Sequence, residues 1–428
     1  MAGNNNRAGI ARALRHRNYK LFFSGQSVSL MGTWITRIAT SWLVYRLTNS
    51  ALLLGLVGFC GQIPTTLLAP FAGVAVDRVD RHRLLVWTQV LSAAQSAALA
   101  LLAFTGKITV GWILFLQVVQ GIINAFDTPT RQAFVVEMIE DRADLPNAIA
   151  LNSTMVNGSR IIGPSIGGII IAGFGEAWCF TIDAISYIAV IASLLAMRVQ
   201  PVDRGAGRAT LFEDLRDGYR YVSGFAPVRT VLLLLALVSS MGMPYTVLMP
   251  AMASNVFHGG PHTLGFLMTA SGAGAVVRAL YLASRSSVLG LGRVMVMATL
   301  AFGIALVAFG ASRSLWLALI VLPVVGAGFM VETASTNTIL QTVTEERLRG
   351  RVMAFYTLAF LGTAPLGSLL AGVVADRIGA PATIVAGGVV CIGGGMWLAF
   401  RLPELRRLVR PIYIERGILS APEAGVAD

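Results

Sequence analysis

Three acidic residues lie inside long apolar stretches of this 428-residue chain, where a carboxylate is able to take up and release a proton. They are Asp127, Asp183 and Glu332. A charge at membrane depth costs at least about 2.5 to 3.5 kcal/mol, so each acid needs a partner, water or a task. Four residues after Glu332 stands Thr336, not an arginine, and an unpaired carboxylate in hydrocarbon takes up a proton because desolvation disfavours its charged form. The sequence therefore predicts a proton-binding site at Glu332. The structural alternative is a buried acid hydrogen-bonded to Thr333, Thr336 or a distant arginine.

Arginines in the same apolar stretches could act together with these acids. Asp127 and Arg131 are four residues apart and share one face of a helix, which predicts a local ion pair. That pair is either structural or part of proton coupling, which requires Asp127 to lose its partner and gain a proton. Arg160 is too far from either end of its stretch to reach water, so it is expected to face a cavity or a carboxylate. Arg37 and Asp183 lie at similar depth and are predicted to pair. The candidates for proton coupling are Glu332, Asp127, Arg131 and Arg160.

Membrane-spanning helices must position these side chains. The chain is 55% hydrophobic and 13% charged, with a mean hydropathy of +0.72, which lies outside the range of soluble proteins. About 20 apolar residues are needed to cross the hydrocarbon core, and twelve stretches meet this requirement. The sequence therefore predicts an all-α membrane protein. The predicted spans, numbered one to twelve, are 19–45, 50–76, 84–105, 108–136, 146–174, 177–197, 228–254, 263–283, 294–312, 314–341, 350–375 and 381–401.

The net charge of +12 does not indicate a nucleic-acid-binding surface, because the 33 Lys and Arg residues are distributed by loop. Most of them lie on one side of the predicted spans, in the same loops as the two terminal segments. By the positive-inside rule, both termini are predicted to be cytoplasmic. The first 18 residues are polar and Arg-rich and have no cleavage site after a short apolar core, so span one is expected to stay in the mature protein.

The longest polar interruption follows span six and predicts two halves of six spans each. The predicted units are residues 1–197, a cytoplasmic linker over 198–227 with an amphipathic segment, and residues 228–428 with a basic cytoplasmic tail. A weak repeat aligns Gly121 with Gly326 and Asp127 with Glu332. Six spans in each half give the halves the same membrane orientation, so they are predicted to rock about a site between them.

The loop after span two carries a short motif of ordered glycine, aspartate and arginine residues. Its members are Gly73, Asp77, Arg78, Arg81 and Arg83. This spacing resembles the loop signature of the major facilitator superfamily, more than it resembles an ordinary basic loop. The resemblance implies a latch at the cytoplasmic face: the glycine permits close helix packing, the aspartate lies near a helix N-terminus of the other half, and the arginines pair with nearby carboxylates.

Span five contains a glycine and proline motif made of Gly163, Pro164, Gly167 and Gly168. Proline removes a backbone donor and the glycines permit close approach, so a bend or tight helix crossing is expected. The motif is similar to one that marks exporters in the superfamily, although small residues also pack any membrane bundle. Stretches over nearly the whole chain, such as 18–22, 32–34, 47–50 and 341–351, resemble the group of bacterial enterobactin and macrolide exporters.

The resemblance implies two pseudo-symmetric six-helix bundles around a cavity lined by spans one, four, seven and ten. In this chain those spans offer amides, aromatic rings and a methionine, which suit a bulky amphipathic guest. The cavity candidates are Gln26, Trp34, Gln117, Gln120, Asn124, Met243, Tyr245 and Asn337. Many proton-coupled relatives carry an arginine at the position of Gln117, so the coupling role of that arginine is not carried over.

These features together predict a secondary transporter of the bacterial inner membrane that exports amphipathic drugs or siderophores by alternating access. The expected partners are a small-molecule substrate, protons as the coupling ion and membrane lipid, and a monomer is expected. With four histidines, none at membrane depth, and no metal or nucleophile cluster, an enzyme, a metal site or a cofactor is not predicted. The alternatives are an importer or lipid transporter on the same fold, or a non-transporting membrane receptor.

Overall fold

The computed structural model describes residues 12–199, 211–283 and 288–419, and these ranges consist of helices and short connecting turns. The helical segments that correspond to the predicted spans keep the span numbers. In order, they are Arg17–Thr48, Ala51–Arg78, Arg81–Phe104, Val110–Phe134, Leu145–Phe174, Glu176–Leu195, Ala226–Val256, Pro261–Ala283, Leu291–Ala311, Leu315–Val343, Glu346–Ile378 and Ala380–Glu415. Span four continues as a short 3-10 helix over Val135–Met138.

Ten of the helical segments in the described ranges are long and apolar enough to cross a membrane. Spans one and eight are outside that group, although their 32 and 23 residues exceed the length that a bilayer requires. The predicted all-α, multi-pass architecture is confirmed. The membrane crossing of these two helices, and with it the count of twelve, stays a prediction.

Polar residues at the helix starts set the boundaries between spans. The side chains of Ser50, Asp80 and Thr109 each accept a hydrogen bond from the backbone N–H three residues later, at 3.3, 3.0 and 3.4 Å. Such caps satisfy donors that the first helical turn leaves without partners. The spans on either side of these residues are therefore joined by short, well-defined turns.

The spans pack mainly within each half, and two pairs of spans connect the halves. Span one packs against five and six, and span four against two and three. In the second half, span ten packs against eight and nine, and span twelve against nine. Contacts between the halves are made chiefly by span two with span eleven and by span five with span eight.

Spans seven and eleven are not continuous α-helices. Span seven contains π-helical turns at Val238–Gly242 and Met252–Val256, and span eleven contains one at Leu358–Gly362. Pro244 and Pro250 lack a backbone N–H, so regular helical hydrogen bonding cannot run through the middle of span seven. Both interrupted spans contact span two of the other half.

A separate helix, Leu211–Gly224, lies between the halves along the chain. It packs against the start of span eleven, where Arg351 Nη1 donates a hydrogen bond to Asp217 Oδ2 at 2.7 Å. Residues 200–210 of the predicted linker lie outside the described residues. The division into 1–197, 198–227 and 228–428 stays a prediction.

Candidate functional site

The two halves are tied together at the end where span one finishes and span two begins, which we call the outer end. Asn255 Nδ2 of span seven donates a hydrogen bond to the Tyr45 hydroxyl of span one at 2.6 Å. Ser50, which caps span two, donates to Asp376 Oδ1 near the end of span eleven at 3.3 Å. Both bonds join the first half to the second.

Glycines bring the backbones of the two halves into contact at the same end. A Cβ atom added at Gly55 of span two would lie 2.8 Å from the Cα atom of Gly372 of span eleven. A Cβ atom added at Gly168 of span five would lie 2.6 Å from the Pro261 carbonyl oxygen and 3.2 Å from the Cα atom of Gly265. Only residues without a side chain allow these helices to pack this closely.

The described hydrogen bonds between the halves extend from the outer end to the middle of the spans. At mid-depth, Thr269 donates to the Ile161 carbonyl oxygen at 2.8 Å, and Thr66 donates to the Leu361 carbonyl oxygen at 3.3 Å. No such bond among the described residues lies at the opposite end, which carries the loop motif of residues 73–83. The described hydrogen bonds therefore join the halves from the outer end to mid-depth.

The loop motif makes its described contacts within the first half. Arg81 Nη1 donates to Glu137 Oε1 at 2.9 Å, which connects the loop to the end of span four. Arg83 lies 3.9 Å from Asp80, and Arg78 is exposed. A Cβ atom added at Gly73 would have no neighbour within 4 Å, so the close approach predicted there is absent from this structure. The side chain of Asp77 lies outside the described residues.

The glycine and proline motif of span five packs against helices on two sides. A Cβ atom at Gly163 would lie 2.5 Å from Cβ of Trp34, and one at Gly167 would lie 3.2 Å from the Cα atom of Ile35. These two glycines face span one, whereas Gly168 faces span eight of the other half. The Pro164 carbonyl oxygen is also at this contact, 2.6 Å from the position of a Cβ at Gly265. The motif thus forms part of the interface that closes the outer end.

Asp127 has two hydrogen-bond donors and a cation beside it inside the first half. Its Oδ1 atom accepts from Thr88 at 2.9 Å and from Gln89 at 2.6 Å, and its Oδ2 atom lies 3.6 Å from Arg131 Nε. The predicted ion pair with Arg131 is therefore present. An arginine and two hydrogen-bond donors therefore surround the carboxyl group of this buried residue.

Glu332 has a poorer environment at the matching position of the second half. It is 0% exposed, and its Oε1 atom accepts one hydrogen bond from Thr336 at 3.1 Å. Its Oε2 atom has no hydrogen-bond partner. The hydrogen bond that the structural alternative required is present, but one carboxyl oxygen is left without a donor and no cation lies within ion-pair distance in the described part of the chain.

The predicted pairing of Asp183 with Arg37 is wrong. Asp183 Oδ2 accepts a hydrogen bond from Ser96 of span three at 2.7 Å, and Oδ1 has no partner. The Arg37 guanidinium lies instead over the ring of Trp34, 5.2 Å from its centroid. Equal depth along two helices does not fix which faces they present, and span six directs Asp183, which is 2% exposed, toward span three.

Span three carries a polar stripe that serves both acids and that was not among the residues predicted from the sequence. All its members are buried, and they recur at intervals of three and four residues, which places them on neighbouring faces of one helix. They are Thr88, Gln89, Ser92, Gln95 and Ser96. That spacing within an otherwise apolar helix was the available signal.

The strongest grouping of candidate residues is at Trp34, in the middle of span one. Arg160 of span five lies 5.9 Å from the centroid of the Trp34 ring, and Arg37 lies over the same ring. Tyr245 of span seven is near enough to interact electrostatically with Arg160, and its hydroxyl is 2.6 Å from the Ser271 hydroxyl of span eight. Arg160 therefore connects the Trp34 ring of the first half with Tyr245 of the second.

The remaining cavity candidates are dispersed. Gln120 Nε2 donates to Asn124 at 3.1 Å and to Ser92 at 3.2 Å, which directs these amides toward span three. Gln117 faces span two, with Oε1 3.4 Å from the position of a Cβ at Gly61. Three further candidates differ in exposure: Gln26 is buried at 3% and lines no open space in this structure, Met243 is half-buried, and half-buried Asn337 accepts from Gln341 at 2.6 Å.

Comparisons with known sequences agree with this architecture. Residues 9–411 match the family described as transmembrane secretion effector. The chain is 29% identical to the staphyloferrin A transporter of Staphylococcus aureus over 379 residues, 87% of this chain and 94% of that protein. It is 28% identical to the multidrug efflux pump Tap of Mycolicibacterium fortuitum over 386 residues, covering 88% and 93% of the two chains. Identity to macrolide efflux protein A of Streptococcus pyogenes is 22%, with coverage of 88% and 96%.

Solved structures of transporters share the fold. The peptide transporter POT superimposes with a TM-score of 0.72 at 12% identity, covering 92% of this chain and 95% of that one. A bacterial homologue of the human lysosomal transporter Spinster, in an inward-facing and unoccupied conformation, gives a TM-score of 0.65 at 14% identity, with coverage of 95% and 99%. At these identities the likeness shows a shared fold.

Proposed function

This chain belongs to the transmembrane secretion effector family of major facilitator transporters, and from that premise we propose that it exports an amphipathic small molecule by proton-driven alternating access. It is a multi-pass membrane transporter and not an enzyme. In the proposed orientation both termini, and the end that carries the loop motif, lie on the cytoplasmic side. The substrate would then enter between the halves from the cytoplasm and leave when the outer end opens.

The observation that carries this proposal is the one-sided contact between the halves. Close backbone contacts at glycines and the hydrogen bond between Asn255 and Tyr45 close the outer end. At the loop-motif end, no hydrogen bond between the halves is described. A transporter that works by rocking needs two such states of similar energy, with the contacts at one end exchanged for contacts at the other. The absence of a close neighbour at Gly73 fits the state in which the predicted cytoplasmic latch is open.

Proton coupling is supported by the unequal environments of the buried acids. Asp127 has a cation and two hydrogen-bond donors beside it. Glu332 has one hydroxyl donor and one oxygen without a partner, so burial favours its neutral form. We assign proton binding to Glu332 and a structural role to the pair of Asp127 and Arg131.

The proposal is tested by transport in liposomes with an imposed pH gradient, using a macrolide antibiotic and staphyloferrin A as probes, since two relatives bear these names. Wild-type protein should accumulate at least one probe, and a protonophore should abolish the accumulation. Glu332→Gln should retain exchange without a gradient, because glutamine resembles the neutral acid, but lose accumulation driven by the gradient. Glu345→Gln, at an exposed acid just after span ten, is the matched control and should behave as wild type.

Two results would contradict the proposal in different ways. A Glu332→Gln variant that keeps full gradient-driven accumulation removes Glu332 as the proton site. Binding of a probe without any flux, in either direction and under any gradient, favours the non-transporting receptor that the sequence left as an alternative.

A further inference from the structure

Arg37 and Arg160 differ from the other arginines of the spans in two ways. Both lie next to the same aromatic ring, that of Trp34, and neither is paired with an acidic side chain among the residues that the structure describes. Both guanidinium groups lie within 6 Å of the Trp34 centroid, at 5.2 and 5.9 Å. Neither makes a hydrogen bond or an ion pair within the described residues. Arg131, in contrast, lies beside Asp127 in the same half of the protein. Two charged groups at membrane depth are therefore left with only an aromatic face for compensation.

Solvent reaches both side chains at the middle of the spans. Arg37 is exposed and Arg160 is half-buried. Arg160 also interacts electrostatically with Arg37 and with Tyr245 across the boundary between the halves. Since the two guanidinium groups repel each other, the arrangement is stabilised by any anion that enters the space between them.

We propose that Arg37 and Arg160 form a subsite for an acidic group of the transported molecule, with Trp34 contacting its apolar part. This rests on the proposed transport function and adds a substrate class to it: amphipathic molecules that carry a carboxylate. A guanidinium offers paired donors that match a carboxylate, and an aromatic ring next to it accepts a flat apolar group. A substrate with a permanent positive charge would be repelled by the same pair.

The position of the subsite allows a bound anion to affect the transport cycle. Arg37 and Arg160 belong to the first half, whereas Tyr245 and its hydrogen-bond partner Ser271 belong to spans seven and eight of the second. A molecule held at Trp34 therefore contacts both halves at mid-depth, where Thr269 already bonds to the Ile161 carbonyl oxygen. A molecule bound at this depth has a different affinity for the state in which the two halves are close together than for the state in which they are apart.

The experiment compares a carboxylic acid with its neutral ester on the purified full-length protein. Dansyl-phenylalanine and dansyl-phenylalanine methyl ester are fluorescent, amphipathic and identical except for the charge. We expect the acid to bind at least about tenfold more tightly than the ester, the size of effect expected for hydrogen bonds to a charged group. Arg37→Gln and Arg160→Gln should each reduce this preference, and the double variant should abolish it.

Controls separate the subsite from general effects of charge and folding. Arg46→Gln removes an arginine from the same span, at the outer end where it pairs with Glu176, and should leave the preference unchanged. Arg160→Lys keeps the charge but not the paired donors and should give an intermediate preference. Thermal unfolding of each variant establishes that the protein tested is folded.

The outcomes are distinguishable from those of the transport assay. Equal binding of acid and ester, a preference that survives in the double variant, or no binding of the acid at 1 mM overturns the subsite. Proton-driven export of neutral or cationic probes alone would leave the transport function standing and the subsite overturned. Preferential acid binding that depends on both arginines, without flux, would support the subsite and refute transport.

Discussion

The closed outer end should respond to a single methyl group at Gly168. A Cβ atom there would lie 2.6 Å from the Pro261 carbonyl oxygen and 3.1 Å from the Cα atom of His262, both backbone atoms of span eight. Because backbone cannot rotate away as a side chain does, Gly168→Ala must push spans five and eight apart. Overpacking of this kind costs about 1 to 3 kcal/mol.

That cost applies to the state in which the outer end is closed, so it changes the balance between the two states. At 1.4 kcal/mol for each factor of ten, the ratio of outer-open to outer-closed protein should rise about 5-fold to 150-fold. Gly158→Ala is the matched control, because it adds the same methyl group to the same helix at a position with no neighbour within 4 Å.

The assay is the distance between spin labels at Lys107→Cys and Ala311→Cys, which are exposed outer-end positions of the two halves, in a background without native cysteines. Gly168→Ala should move the distance distribution toward longer separations, whereas Gly158→Ala should match the parent protein. Identical distributions for both variants would refute the assignment of the span five glycines to the outer gate. A shift in both variants would show that helix propensity, not the contact with span eight, is responsible.

Two further predictions concern the other buried acids. Asp127→Ala should lower the free energy of unfolding by about 3 kcal/mol, the lower end of the range for a buried ion pair, because Arg131, whose side chain is 19% exposed, loses its partner. Denaturant or thermal unfolding in detergent measures this. Asp183→Asn should change it by less than about 1 kcal/mol, since the amide oxygen still accepts the existing hydrogen bond and no arginine loses a partner. A large loss on Asp183→Asn would instead support the pairing with Arg37 that the geometry excludes.

Features encoded within one helix were predictable from the sequence, and features that depend on how helices face each other were not. The apolar stretches gave the fold, and the spacing of four residues gave the Asp127–Arg131 pair, because both depend only on position along a helix. The Glu332–Thr336 hydrogen bond has the same origin. Arg37 was assigned to Asp183 from depth alone, yet the rotation of span one directs it to the Trp34 ring.

The glycine motifs show the same division. Their composition indicated a tight helix crossing in span five, but not that Gly168 contacts span eight of the other half while Gly163 contacts span one. The partner of a glycine is decided by tertiary packing, since the residue carries no side chain whose chemistry could identify it. The close approach predicted at Gly73 of the loop motif is absent from this structure for the same reason, since the glycine does not encode which helix lies next to it.

The position of Glu332 raises the question of how a proton there could act on the contact between the halves, since the acid does not face the other half. Phe329 lies about one helical turn before it and contacts the ring of Phe360, with centroids 6.0 Å apart. Phe360 belongs to the π-helical turn of span eleven, and the next residue, Leu361, accepts the hydrogen bond from Thr66 of the first half. A π-turn is a common place for a helix to kink. We therefore propose that a change of charge at Glu332 would reach the other half through this irregular turn.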